Sequence, residues 1–520
     1  MNAPNGPPLQ HALHDLERFR LRRFLESLGP EHLERRHDPI DLADIAAVLE
    51  GNPRAVWFDR PGEGSIPLVG SVCGSRARLA KAFGTTPHEL LGEVLARLKR
   101  KGEVTRIERH LAPAQEIVLT GDAADLTTLP VSLQHDLDGA PYISASIDFA
   151  VDPATGWTNV GVRRMMLRGR REAGIDLVAP SDLRALYEAE ARAGRTVPIA
   201  FVVGSHPIDH VAATMRIPVD EIALIGALRD APLPVVKCVT NDLYVPADAE
   251  FVLEGYLDAR GHVEAEGPYG EFLGYYGAVK QNPVFHLTAI THRKDAIFQM
   301  VTIGGADMSH TDSAQMVALR TEVTLWRALE SAVREVTAVH ATTSSGGMYN
   351  VRIALKQRVP GEARNAIAAA FGCLANVKNV FVVDPDIDIF SDAQMDWALA
   401  TRFQADRDLV VQSGFRTLPL DPSLDGKRTG AKAGFDLTLP MIRPGEARPI
   451  EHRVPTPPRM RSGAKKYATL EAALADGPMF FSEIMAALDS KDGREIVRAL
   501  EPHYQAGRVQ RDREGRYRFE

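Results

Sequence analysis

Cysteine is scarce: Cys73, Cys238 and Cys373 are the three in 520 residues, far apart and without CxxC spacing. That excludes a disulfide framework and a zinc ribbon, and it suits a reducing compartment. Long hydrophobic runs are missing. The longest apolar stretches are strand-sized, such as Val380-Phe381-Val382-Val383, well short of the roughly 18 to 20 residues that span a bilayer. The N-terminal stretch, with Glu17, Arg18, Arg20, Arg22 and Arg23, has no apolar centre of the kind a secretory signal carries. An excess of positive charge is missing too. The formal net charge is −7, so no global field draws the chain to nucleic acid or anionic lipid. There is no internal repeat and no low-complexity tract. What remains, 45% hydrophobic and 25% charged residues, is an ordinary globular composition. The length implies roughly two to four domains. The expectation is a soluble, cytoplasmic, multidomain enzyme with neither membrane nor nucleic acid as partner.

Hydrophobic spacing predicts helix over residues 9–50, where Leu13, Leu16, Phe19, Leu21 and Phe24 recur with charges between them. A second helix is predicted over 85–100, with Thr86 as N-cap and Pro87 at the first helical position. Strand-like runs bounded by Pro and Gly cover 143–151, 158–167, 198–203, 235–239, 286–292 and 296–301. Pro180-Ser181-Asp182 opens a helix to about Ala193. Helices at 321–335 and 362–371 then alternate with strands at 350–355 and 379–383, which suggests an α/β layer. Residues 421–463, rich in Pro, Gly and basic side chains, read as a loop or linker. Helices at 467–475, 481–488 and 494–505, followed by a hairpin around Glu514-Gly515, outline a winged helix. The expected domains are 1–124, 125–320, 321–460 and 461–520.

Two segments carry chemistry. In Glu266-Gly267-Pro268-Tyr269-Gly270-Glu271 a tight bend can aim two carboxylates into one cavity. Paired carboxylates in unlike environments divide acid and base roles; the alternative is a surface turn with solvated charges. In 158–165 the alternation of a strand puts Asn159, Gly161 and Arg163 on one face and Val160, Val162 and Arg164 on the other. An arginine sharing a face with two valines calls for a partner, most naturally a carboxylate; a surface strand with solvated arginines is the alternative. The acids Asp384, Asp386 and Asp388 lack the glycine and distal glutamate of a calcium loop.

Five strings occur in order: Asn159 to Arg164 as NxxxxR, 234–247 as PxVKCxTxDLxVPA, 266–271 as EGPxGE, 384–390 as DxDIDxF, and 397–408 as WAxxTRxxxxRD. Together they resemble the UbiD-like decarboxylases, which use prenylated FMN, and the resemblance runs from about Asp125 to Thr438. It implies an N-terminal α/β domain, a central split β-barrel flavin-binding domain, a C-terminal α/β oligomerisation domain and, here, a winged-helix-like extension. It implies homodimers or dimer-built homohexamers, and a flavin prenyltransferase as supplier of the cofactor. Arg164, Glu266 and Glu271 match the catalytic network, with Glu271 as proton donor and Arg164 holding Glu266. Asn159, Asp182 and Glu221 match the ligands of a divalent ion, manganese or magnesium, with potassium nearby. Asp182 stands where the family has histidine, so the metal set becomes all-oxygen; its other reading is an ordinary acid in the first turn of a helix. Val162, Thr214, Met215 and Lys432 match flavin contacts. His310 and Arg320 are candidates to hold a second polar group of the substrate. The resemblance implies reversible, non-oxidative decarboxylation of a compact aromatic or heteroaromatic acid. An aryl-coenzyme A acid such as phthaloyl-CoA is an alternative substrate, and a DNA-binding or scaffold protein is an alternative of another class.

Overall fold

The computed structural model describes residues 16–64, 66–373, 376–442, 448–458 and 464–520. Two compact units divide the chain, Met1–Thr438 and Leu439–Glu520. Among the described residues no helix is long and apolar enough to cross a membrane.

The centre of the first unit is a closed antiparallel barrel. Its strands are β1 (Tyr142–Val151), β2 (Thr158–Leu167), β3 (Glu172–Ile175), β4 (Val197–Val203), β5 (Phe251–Leu257) and, after a short ribbon, a long strand Val284–His292. The ring runs β5, β4, β1, β2, β3, Val284–His292 and back to β5. Full closure leaves no edge in the ring. The ribbon before the last strand pairs β6 (Glu264–Glu266) with β7 (Lys280–Asn282), Glu266 opposite Lys280.

Three helices on the barrel carry site residues. Helix α1 (Asp182–Arg192) is capped by Ser181, whose hydroxyl accepts the Arg184 N–H. Helices α2 (Pro207–Thr214) and α3 (Glu221–Arg229) are tied at the far end of α3. There the buried Arg229 guanidinium donates to Asp209 of α2 (Nε to Oδ1 2.7 Å) and to Asp248 (Nη1 to Oδ2 2.6 Å). Helix α4 (Asp312–Glu330) follows the barrel, with the Thr311 hydroxyl accepting the Ala314 N–H. After it comes a five-stranded sheet in the order Val336–Ala341, Asn350–Leu355, Asn379–Val383, Thr429–Leu437, Leu409–Arg416. The second unit contains helices Leu470–Ala475, Phe481–Ala487 and Arg494–Gln505 and the hairpin Val509–Arg511/Tyr517–Phe519, around Leu474, Ile484, Leu500 and Tyr517.

Four expectations are corrected. Residues 9–15 of the first predicted helix lie outside the described residues; the rest is α-helix at 16–18, Leu21–Glu26 and Ile45–Leu49, with strand Leu33–Arg36 between the last two. That strand (Leu-Glu-Arg-Arg) has no apolar alternation, and only its parallel ladder with Ala55–Phe58 defines it. The second helix starts at Leu90, and Thr86 caps no backbone N–H; its hydroxyl donates to the Glu89 carboxylate at 2.8 Å. Helix α4 begins at Asp312 rather than Thr321, and a strand, Val336–Ala341, follows it. The supposed linker 421–463 contains strand Thr429–Leu437, inside the sheet. Gly434 belongs there because a Cβ would sit 2.3 Å from Ile367 of the covering helix. A glycine set for close packing reads, in one dimension, like a glycine set for a turn.

Replacing Arg229 by Met leaves two buried carboxylates unpaired, and α3 carries Glu221. Urea unfolding is expected to report a loss of about 3–5 kcal/mol.

Candidate active site

The site grows from two cross-strand pairs. Strands β2 and β3 align Met165 with Ile175 and Met166 with Gly174, so one step further Arg164 stands opposite Asp176. On the ribbon, Glu266 stands opposite Lys280, and Asn282 shares the face of Lys280 two residues on. The two pairs meet. Arg164 donates from Nε to Glu266 Oε1 at 2.9 Å, from Nη2 to Glu266 Oε2 at 3.2 Å and from Nη1 to Glu271 Oε1 at 2.9 Å. Its Nη2 also lies 3.0 Å from Asp176 Oδ2. Lys280 Nζ is 3.3 Å from Glu271 Oε1 and 3.4 Å from Asp176 Oδ2. Asn282 Nδ2 donates to Glu266 Oε2 at 3.2 Å, and its Oδ1 accepts the Leu177 N–H at 2.9 Å.

Burial opposes the Arg164 charge, but Glu271, Asp176 and Glu266 overcome it and hold the guanidinium more firmly protonated than usual. Burial likewise pushes the Asp176 carboxyl up, and Arg164 and Lys280 reverse that, leaving it below the usual range. Glu266 is fully buried and Glu271 is 4% exposed. Among the described residues one carboxylate oxygen of this cluster accepts no hydrogen bond, Glu271 Oε2.

The turn between the glutamates is pinned from outside. The Tyr269 hydroxyl donates to Gln134 Oε1 at 2.6 Å, and the Gly270 N–H donates to Asp138 Oδ1 at 2.9 Å. The Arg164 guanidinium lies over the Tyr269 ring, 4.5 Å from its centroid. A Cβ at position 270 would lie 2.3 Å from His135 Nδ1, and one at 277 would lie 2.7 Å from Glu271 Oε1. Glycine at both places lets the loop close on the carboxylate.

Arg164, Asp176 and Glu271 line one end of a cavity of about 790 Å³; Glu266 lies behind them. Asn159, Asp182 and Glu221 line the same cavity, as do Val162, Thr214 and Met215. Asn159 Nδ2 donates to the buried Asp148 at 3.0 Å, and its amide oxygen accepts no hydrogen bond among the described residues. Glu221 Oε2 accepts the Val160 N–H at 2.6 Å. Burial pushes the Glu221 carboxyl up to about 7, with Asp148 and Asp182 adding to the rise. Helix α4 presents one stripe to the cavity, Ser313, Met316, Val317 and Arg320, at helical spacing. Arg320 and Arg216 both line the cavity, and neither side chain has a hydrogen-bond or ion-pair partner among the described residues. Burial lowers both guanidinium values, Arg320 to about 10, with Arg216 contributing to that fall.

Two expected residues lie elsewhere. His310 borders a small separate cleft of about 30 Å³ with Glu50 and His135. Lys432 is on the Thr429–Leu437 strand, where its Nζ donates to the Phe371 carbonyl at 2.7 Å, and it does not line the cavity. Its strand faces the Glu362–Gly372 helix, which a reading of the segment as linker could not anticipate. The reading from sequence also passed over Asp176, Lys280, Asn282 and Arg216. The Lys280-x-Asn282 spacing was a signal, but its use required the ribbon register.

Comparisons with known proteins place these features. Residues 30–98, 105–306 and 314–437 match the N-terminal, Rift-related and C-terminal domain models of 3-octaprenyl-4-hydroxybenzoate carboxy-lyase. The chain is 33% identical over 379 residues to anhydromevalonate phosphate decarboxylase of Methanosarcina mazei, covering 72% of this chain and 85% of that one. It is 31% identical over 465 residues to phenolic acid decarboxylase of Sedimentibacter hydroxybenzoicus, covering 84% and 95%. Among solved structures, the UbiD-class enzyme HmfF of Pelotomaculum thermopropionicum in complex with FMN matches at 33% identity with a TM-score of 0.78, over 84% of this chain and 97% of that one. The vanillic acid decarboxylase of Sedimentibacter hydroxybenzoicus in open form matches at 30% and 0.76, over 85% and 96%. These findings lend no support to the coenzyme A thioester or DNA-binding alternatives. With all three domain models matched in order and relatives of this identity covered almost end to end, the chain belongs to the UbiD family of carboxy-lyases.

Proposed function

We propose that this chain decarboxylates a compact aromatic or heteroaromatic acid, with prenylated FMN seated in the 790 Å³ cavity and Glu271 as proton donor. The observation that carries the reading is Glu271 Oε2, the cluster's one carboxylate oxygen without a donor among the described residues, on a carboxylate that lines the cavity. Arg164 and Lys280 engage only Oε1. Oε2 is therefore the atom on which a proton can rest and from which it can be delivered.

The cavity suits such a cofactor. Its volume lies within the roughly 300–1,000 Å³ typical of small-molecule sites. Besides Arg164, it has oxygen ligands on Asn159, Asp182 and Glu221 and the cations Arg216 and Arg320. A phosphate with a divalent ion answers both charges. Among the described residues no three His, Cys, Asp or Glu side chains make a metal cage by themselves. Magnesium and manganese are commonly held by one or two carboxylates together with phosphate oxygens and water, which is the set Asn159, Asp182 and Glu221 would complete. The oxygen-only donors support manganese or magnesium over softer ions.

Prenylated FMN, when bound, supplies the electron sink that a departing carbon dioxide requires. The chain's own residues supply the rest. Glu266 and Asn282 fix the Arg164 guanidinium, which has five N–H donors. One Nη1 N–H remains after its contacts with Glu266, Glu271 and Asp176, and it can orient the substrate carboxylate. Val162, Val301, Ile303 and Met316 give the cavity apolar wall, which keeps water from competing for the reacting carbon. Glu271 then delivers its proton to the carbon that lost carbon dioxide.

A second substrate reading is favoured by one observation, Arg216 and Arg320 in the cavity wall without a hydrogen-bond or ion-pair partner among the described residues. They suit an acid that carries another anionic group, carboxylate or phosphate.

Enzyme co-expressed with a flavin prenyltransferase and presented with a panel of aryl and heteroaryl acids is expected to release carbon dioxide. Glu271→Gln should lower that rate by about 10²-fold or more with flavin content unchanged; a rate within a few fold of wild type would remove Glu271 from the role. Glu221→Gln should reduce manganese and flavin retained per chain by roughly tenfold, read by metal analysis and flavin absorbance. Arg320→Met should raise KM for acids with a second anionic group by about tenfold, and by less for the matching mono-acids.

A further inference from the structure

Two cations, Arg164 and Lys280, face three carboxylates, Glu266, Glu271 and Asp176, in one connected cluster. With every carboxyl ionised the cluster is one negative charge in excess, and one proton makes it neutral. Asp176 is not the holder of that proton, because both its oxygens are engaged, Oδ1 by the Val178 N–H and Oδ2 by Arg164 and Lys280. Glu266 is not, because both its oxygens accept from Arg164 and one also from Asn282. Glu271 is left. The remaining charged or titratable groups around it are Tyr142 and Tyr269, both raised by burial, and Asp138, which is engaged by His135 and the Gly270 N–H.

Lys280 and Asp176 sit at the edge of the cluster, with side chains 23% and 20% exposed. Asp176, which lines the cavity, touches Arg164, and Lys280 touches Glu271. We infer that Lys280 and Asp176 are a matched pair of positioning residues that set the proton occupancy of Glu271, Lys280 drawing it toward carboxylate and Asp176 toward carboxylic acid by taking up part of the charge of both cations. The inference rests on the reading of Glu271 as proton donor. In each turnover the Glu271 O–H bond breaks and a C–H bond forms with the electron pair left by the C–C bond to carbon dioxide. The cluster passes from neutral to one negative charge, and a proton from solvent at the Lys280–Asp176 edge restores it. Like-charge and opposite-charge neighbours at these distances decide which form is held.

The test needs no substrate. Full-length holoenzyme carrying carbon-13 at glutamate Cδ is titrated by NMR, with the Glu271 signal identified by its loss in Glu271→Gln. Lys280→Met is expected to move the Glu271 midpoint up, and Asp176→Asn to move it down, each by about one pH unit or more. The double variant restores the charge balance and should return the midpoint toward wild type, and Lys280→Arg should hold it there. A structural role alone predicts no opposite signs and no compensation. Midpoints that stay put, or move the same way in both single variants, overturn the proposal and leave Glu271 as donor intact. A wild-type Glu271 signal that stays ionised across the accessible pH range sinks the donor assignment, and this proposal with it.

Discussion

Burying a guanidinium beside carboxylates is favourable only if each charge finds its partner, and most of the site follows from that constraint on Arg164. Arg164 is carried by barrel strand β2 into buried surroundings, where desolvation works against its charge. Three carboxylates converge on it from three places in the chain: the residue after β3, the end of β6, and the turn that follows β6. Each carboxylate would itself be costly to bury without the arginine. The cluster ties the Glu266–Glu271 turn, the ribbon and the β2–β3 pair to one another. The glycines at 270 and 277 belong to the same constraint, since any side chain there would push His135 or the Glu271 carboxylate out of place.

The cavity has two electrostatic ends, and the barrel supplies both from one strand. On β2, the face with Asn159 and Arg163 grips the buried Asp148, while the other face carries Arg164 to the carboxylate cluster. The five residue steps of β2 from Asn159 to Arg164, roughly 16 Å of strand, thus separate the Glu221 region, where burial and acidic neighbours raise that carboxyl, from the carboxylate cluster around Arg164. Helix α4 closes the wall between them with a stripe of four residues ending in Arg320. Chemistry that must handle an anionic cofactor, an anionic substrate and a proton gains from such separation, because each charge is met by groups that do not disturb the others.

Legibility in the sequence followed the range of the interaction. Strand β2, helix α1 with its Ser181 cap, the strands at 350–355 and 379–383 and the final helix at 494–505 were readable, because local alternation and capping specify them. The segments read wrongly were those whose state depends on a distant neighbour. Leu33–Arg36 is a strand only because Ala55–Phe58 lies beside it, and Thr429–Leu437 enters a sheet although its glycines read as a loop. In the site, Arg164, Glu266 and Glu271 could be named from motif strings. Lys280 and Asp176 could not, because their meeting with Arg164 and Glu271 depends on the register of the ribbon and of β2 against β3.

The sequence by itself determined which side chains alternate on β2, where the Gly-Pro-Tyr-Gly turn bends, and that an arginine on an apolar face would require acids. Those are consequences of backbone period and of desolvation, and they act over a few residues. Only the tertiary structure decided which acids and which second cation meet it. That choice depends on strand register, Arg164 against Asp176 and Glu266 against Lys280, and register is set by the whole closed barrel rather than by any one strand.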